Sequence, residues 1–267
     1  MQAMIFAAGL GTRLKPITDT MPKALVPIAG KPLLEHVLTK LVSAGYDDIV
    51  INIHHFADMI EQWVAEHPIP NVRIRLSDER KELLETGGGI RHAAPFLQDA
   101  DHFLIHNVDI LSNTDIVDFT NHFRGEAMLL VSERETQRYL IFDRNMRLVG
   151  WTNIKTGEVR TPFPAVREAF DENYTAAINT ITMQMCPYNK QEGSGPYTML
   201  AFAGIHQMSN SLLPLMDEWP DKFSIIDFYL SVCREHPIYA YVQKDLRLMD
   251  VGKLDTLAAA DEFVKSL

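Results

Sequence analysis

The chain has 267 residues, 46% of them apolar, enough for one large core or two smaller ones. Its formal charge of −10 and pI of about 5.4 exclude a broadly basic nucleic-acid-binding face, but not a small phosphate ligand gripped by local cations. Cys186 and Cys233 are too few for a disulfide framework, no Cys/His cluster has zinc spacing, and no signal peptide or membrane-length apolar run is visible. A cytoplasmic protein without membrane or nucleic-acid partners is therefore expected.

Met4-Ile5-Phe6-Ala7 predicts the first buried strand. The stretch Ala7 to Lys31, AAGLGTRLKPITDTMPKALVPIAGK, follows it. Gly9 and Gly11 permit a tight turn whose N–H groups can face an anion. Arg13, Lys15, Lys23 and Lys31 concentrate positive charge there, and Pro16, Pro22 and Pro27 forbid a continuous helix. A glycine bend with fixed cations beside a strand end suits a polyphosphate. The dinucleotide fingerprint is excluded, because Leu14 stands where its third glycine belongs and Lys15-Pro16 where its helix would run. The P-loop is excluded for want of its Gly-Lys-Ser/Thr ending, and a kinase loop for want of the kinase motifs downstream.

The stretch resembles the signature of the sugar-1-phosphate nucleotidyltransferases. That pattern is present as Gly9-Leu10-Gly11-Thr12-Arg13, Pro16-Ile17-Thr18 and Pro22-Lys23-Ala24-Leu25-Val26-Pro27. The resemblance implies that Ala7, Ala8, Gly9, Leu10, Gly11 and Thr12 line the nucleotide phosphates, with Arg13 and Lys23 as the catalytic cations.

Leu33, Leu34, Val37, Leu38 and Leu41 repeat at helical spacing, with Pro32 at the first turn and Gly45 at the end. Ile49 to Ile53 is a strand of the doubly buried kind. His54 and His55 follow, but adjacent residues on an extended chain point apart, so they are structural or peripheral rather than a metal pair. Phe56 to Glu66 predicts a helix and Val72 to Ser77 a strand. In Glu85-Thr86-Gly87-Gly88-Gly89-Ile90 the glycines are costly inside a helix, which places them in a loop and first turn. They serve either as a flat seat for a ring or as a tight packing turn. The wording is similar to the branch containing the N-acetylmuramate-1-phosphate uridylyltransferases, where the corresponding loop reads the base; Gly87 and Gly88 inherit that expectation.

Phe103 to His106 is a strand ending in Asn107-Val108-Asp109, at the place where open α/β sheets bind ligands. By resemblance Asp109 holds Mg²⁺ and Asn107 contacts the nucleoside. Alternating strands and helices to this point give a Rossmann-like α/β fold, a mostly parallel sheet with helices on both faces. Short strands at Ala127 to Val131, Tyr139 to Phe142 and Leu148 to Trp151, with a turn at Asp143-Arg144-Asn145, predict a smaller antiparallel part, which the resemblance implies is the sugar-binding side. Trp151, Asn153 and Lys155 are its candidate sugar contacts. Residues 160–196 carry no sustained period and read as an insertion, either a lid, a plain excursion or a dimer contact.

Thr198 to Ile205 returns as a strand, with Gly204 a further sugar-side candidate. A helix begins near Phe223, capped by Ser224 or Asp221, and Ile238 to Val242 is a strand. Leu246 to Gly252 precedes a closing helix, Lys253 to Val264. Asp250 either caps that helix or, by resemblance to the family's Asp-Val-Gly phrase, is the second metal ligand. The whole, 1–267, reads as one nucleotidyltransferase domain with a nucleotide-binding half, 1–125, and a sugar-binding half, 126–267. The resemblance implies a nucleoside triphosphate and a sugar-1-phosphate as partners, with UTP favoured. A mannose-1-phosphate guanylyltransferase and a non-catalytic nucleotide-sugar-binding regulator are the alternatives.

Overall fold

Apolar runs at strand spacing and apolar stripes at helical spacing form the expected elements. The computed structural model describes residues 1–171 and 196–267. They divide into two compact units, one of residues 1–122, 204–225 and 246–267, the other of residues 123–203 and 226–245.

The first unit is built on Gln2–Phe6, which pairs in parallel with Asp48–Ile53 on one side and His102–Asn107 on the other. Arg73–Asp78 adds a parallel edge beside Asp48–Ile53, and residues 205–209 pair antiparallel with His102–Asn107. Helices lie on both sides of this mostly parallel sheet. Leu33–Ser43 is one; it buries Leu33, Leu34, Val37, Leu38 and Leu41, the residues its period selects. At the start of the strand Asp48–Ile53, Asp48 binds Arg73 at 2.7 Å, Arg75 at 2.5 Å and the Gln2 amide at 2.8 Å. The prolines shape the loop after the first strand as expected. It breaks into three short 3₁₀ turns, Thr12–Leu14, Ile17–Asp19 and Lys23–Leu25, the last two each preceded by a proline.

Two features of this unit differ from the sequence reading. Leu248–Asp250 pairs antiparallel with Ile110–Ser112 as a separate two-stranded ribbon, each strand too short to show a period. The last helix, Leu254–Lys265, is capped by Lys253 and Thr256, so Asp250 is not its cap.

In the second unit Arg138–Asp143, Leu148–Asn153 and Glu158–Arg160 form antiparallel pairs, and residues 197–200 pair antiparallel with Arg138–Asp143. The Asp143 turn is present, with Asp143 Oδ1 accepting from the amides of Asn145 at 2.8 Å and Arg147 at 2.9 Å. Ala127–Ser132 pairs in parallel with Ile238–Val242. Cys186 and most of the stretch 160–196 lie outside the described residues. Its described beginning is more ordered than its composition suggests. Pro164–Asp171 is a helix whose Val166 and Phe170 pack on Ile141 and Val149. No helix among the described residues is long and apolar enough to cross a membrane.

Candidate active site

The first strand ends at Phe6, opposite Asn52 on the neighbouring strand. The amides of Ala7 and Ala8 donate to Asn52 Oδ1 at 2.7 and 3.2 Å, so these two N–H groups are engaged inside the fold. Gly9, Leu10, Thr12 and Arg13 are exposed. A Cβ on Gly9 would meet nothing within 4 Å. Gly11 adopts the left-handed conformation, φ 63°. A Cβ there would lie 2.8 Å from Thr18 Cγ2, and the Thr18 hydroxyl donates to the Gly11 carbonyl at 2.8 Å. The carbonyl is thus held inward while the loop from Gly9 to Thr12 stays open.

The four loop cations separate into two kinds. Lys15 pairs locally with Asp19, and Lys31 with Glu35, each at 2.9 Å on the surface. Lys23 is buried and its ammonium forms an ion pair with the partly buried Asp109 carboxylate just past the strand His102–Asn107. Asp250 stands opposite Ile110 in the short ribbon, and the next amide, Val251 N–H, donates to the Asp109 carbonyl at 2.9 Å. A Cβ on Gly252 would lie 2.6 Å from Asp250 Oδ1 and 2.9 Å from the Arg13 guanidinium. Arg13, Lys23, Asp109 and Asp250 are therefore brought together in one unit, from three separate stretches of chain. Among the described residues no group of three or more His, Cys, Asp and Glu is placed to hold a metal ion.

The glycine run behaves differently. Glu85–Ala93 is a helix with all three glycines inside it and buried, rather than in a preceding loop. Gly87 N–H donates to the Phe223 carbonyl at 2.8 Å, and a Cβ on Gly87 would overlap the Phe223 ring. A Cβ on Gly88 would overlap the Asp221 carbonyl. Thr86 Oγ1 accepts the Ile225 amide at 2.9 Å. The Cβ sides of Gly87 and Gly88 are thus occupied by residues 221–223. Asn107, at the end of its strand, faces Gly204: a Cβ there would lie 2.8 Å from Asn107 Nδ2.

The sequence pattern of the nucleotidyl transferase family matches residues 2–139. The chain belongs to that family. It is 47% identical over 109 residues to an N-acetylmuramate alpha-1-phosphate uridylyltransferase of Caulobacter vibrioides, covering 40% of this chain and 45% of the relative. It is 35% identical over 251 residues to a UTP–glucose-1-phosphate uridylyltransferase of Synechocystis, covering 87% of this chain and 62% of the relative. The chain spans about half the length of the N-acetylmuramate relatives it matches. Among solved structures, HddC from Yersinia pseudotuberculosis, complexed with GMP-PN, shares the fold with a TM-score of 0.68 at 22% identity, covering 98% of this chain and 99% of that one.

In this nucleotidyl transferase the remaining sugar-side candidates lie in the second unit. Trp151 is buried, with the Arg160 guanidinium 3.9 Å from its ring centroid. Asn153 Oδ1 accepts the Lys155 amide at 3.0 Å and so holds the turn, while Lys155 is exposed on it. His54 Nδ1 lies 2.7 Å from the Glu79 carbonyl.

Two residues near the loop escaped the sequence reading. Asn52 is 3% exposed and Glu79 2%, and Asn52 Nδ2 donates to Glu79 Oε1 at 2.7 Å. Burial pushes the Glu79 carboxyl above its ordinary range, and the Asn52 hydrogen bond partly offsets this. The clue to Asn52 was a lone polar residue inside the run Ile49 to Ile53; Glu79 was hidden in the charged stretch Asp78 to Glu82. Burial also holds the His106 imidazole down to about 4 and the Lys40 ammonium down to about 8.

Proposed function

We propose that the protein transfers a nucleotidyl group from a nucleoside triphosphate, UTP favoured, to a sugar-1-phosphate, giving an NDP-sugar and pyrophosphate. The carrying observation is the convergence of Arg13, Lys23, Asp109 and Asp250 beside an open glycine bend. Family membership and the uridylyltransferase names of the relatives support the same reaction class.

An oxygen of the sugar phosphate attacks the α-phosphorus, the bond to the bridging β-oxygen breaks, and its electron pair leaves with pyrophosphate. The nucleophile is already ionised, so little proton chemistry is needed. The task is to bring two polyanions together and to stabilise charge on the leaving group. The amides from Gly9 to Thr12 receive the β and γ phosphates. Arg13 offers paired donors to the departing pyrophosphate. Lys23 supplies a compact charge at the α-phosphate once it turns from Asp109. Asp109 and Asp250 provide hard oxygen ligands that fit Mg²⁺, whose other ligands would be water or phosphate oxygens. When bound, Mg²⁺ supplies further neutralisation of phosphate charge. A reducing, cytoplasmic setting suits the buried thiol of Cys233.

GTP is the second donor to test, favoured by the GMP-PN in the Yersinia structure. The deciding experiment is a grid of nucleoside triphosphates against sugar-1-phosphates with Mg²⁺, read by pyrophosphate release. Turnover is expected, strongest with UTP. No release in any combination overturns the reaction, and a preference for GTP overturns the donor assignment.

A further inference from the structure

We infer that Asn52 and Glu79 are positioning residues that fix the entry of the phosphate loop and tie it to the start of the glycine helix. The inference rests on reading the amides from Gly9 to Thr12 as the phosphate cradle. Neither side chain need touch the nucleotide.

The orientation of the Asn52 amide is dictated by its neighbours. On one side stand two donors, the N–H groups of Ala7 and Ala8; on the other stands an acceptor, Glu79 Oε1. Only the carbonyl oxygen can face the first and only the NH₂ the second. The two amides it holds immediately precede Gly9, so they set the direction in which the next four N–H groups point. The other carboxylate oxygen, Glu79 Oε2, accepts the Leu84 amide at 3.3 Å, and Leu84 directly precedes the helix Glu85–Ala93. One buried carboxylate thus reaches both glycine-rich stretches. Glu79 itself is anchored by its own backbone, with its N–H donating to the Ile53 carbonyl at 2.8 Å and its carbonyl beside His54 Nδ1.

Gly89 completes the arrangement. A Cβ there would lie 2.9 Å from Glu79 Oε1 and 3.2 Å from Asn52 Nδ2, against the hydrogen bond itself. The third glycine of the run leaves room for the link, whereas the first two accommodate residues 221–223. In a nearly dry site the network is complementary only with one carbonyl, one NH₂ and one carboxylate, which makes it sensitive to exchange of a single atom.

That sensitivity gives the test. Asn52→Asp, Glu79→Gln and the double variant are compared in the full chain. Two readouts are used, pyrophosphate release from UTP with the best sugar-1-phosphate of the grid, and hydrogen exchange of peptides covering residues 7–14 and 84–90. In Asn52→Asp two carboxylates face each other, and the loop loses its seat. At pH 8 kcat/KM should fall about 100-fold, the scale expected of a displacement near 1 Å. It should recover toward pH 6 as the pair shares a proton; His54 and His92 are the other titratable groups that influence Glu79, and they are unchanged. Exchange in both peptides should quicken. In the double variant the new carboxylate at position 52 accepts from Ala7 and Ala8, while the new side-chain amide at position 79 donates its N–H back to that carboxylate. Activity and slow exchange should then return, with the pH dependence gone.

Asn52→Asp behaving as the parent, or a double variant no better than Asn52→Asp, overturns the link. Should Asn52→Asp not fold, the double variant decides alone: parent-like exchange supports the link and raised exchange overturns it. A parent that turns over no substrate counts against the proposed reaction, while the exchange pattern still decides the link.

Discussion

Two glycine-rich stretches of the first unit use the missing side chain in opposite ways. Around Gly9 the space beside the backbone is open, and Gly9, Leu10, Thr12 and Arg13 are exposed. At Gly87, Gly88 and Gly89 the corresponding space is filled by Phe223, Asp221 and the Asn52–Glu79 hydrogen bond. Equal flexibility in the sequence therefore leaves open space in one place and serves close packing in the other. What separates them is the surroundings: cations and prolines flank the first, whereas the second begins a helix that another segment covers.

The comparison can be broken most sharply at Lys23. Lys23→Ala should leave a folded protein whose turnover falls by about 10²–10³, comparable to losing one oxyanion donor. Parent-rate turnover by a folded Lys23→Ala protein would remove the open loop from the chemistry. Gly88→Ala should act on the fold instead. The added methyl meets the Asp221 backbone, and overpacking of this kind costs about 1–3 kcal/mol in a denaturant melt. An unchanged midpoint would mean that residues 221–223 yield easily and that the close packing carries little stability.

Acid melts probe the sheet beneath both stretches. His106 and His206 are buried neutral, with burial holding their imidazoles at about 4 and about 3 against an ordinary 6.5. Above pH 6.5 both folded and unfolded chains leave these rings uncharged. Below it the unfolded chain takes up protons that the fold refuses, so stability is lost as pH falls, by about 2 kcal/mol per ring at pH 5. Glu79 works the other way: with its folded value raised, it returns some stability as pH falls toward 4.5. Equal unfolding free energies at pH 7 and pH 5 would contradict the histidine account. The smallest effect is expected at Gly9→Ala, within about 0.5 kcal/mol in stability, as at an unconstrained surface site. A large stability loss there would erase the contrast with Gly88.

The inner parallel strands were legible because their centres are apolar runs, whereas the edge strand Arg73–Asp78 carries two arginines; the loop was legible because its glycines, prolines and cations are concentrated within a few turns. Asp109 stood out at a strand end. Contacts made across long separations were not readable. Gly87 and Phe223 are far apart in sequence, and nothing near either names the other. The ribbon that sets Asp250 beside Ile110 has three-residue strands, shorter than any usable period. The helix Pro164–Asp171 was masked by the prolines and polar residues around it. Asn52 and Glu79 each looked ordinary; their pairing exists only after two neighbouring parallel strands are in register.

The first unit is assembled from residues 1–122, 204–225 and 246–267. During synthesis it is therefore the earliest to emerge from the ribosome and the latest to be completed. A fragment cut at residue 139, where the family match ends, would lack the antiparallel edge of residues 205–209, the cover over Gly88 and the aspartate at 250. Contacts closing such long loops are slow to form, so the nascent chain must keep its early strands from sticking elsewhere until the late segments arrive.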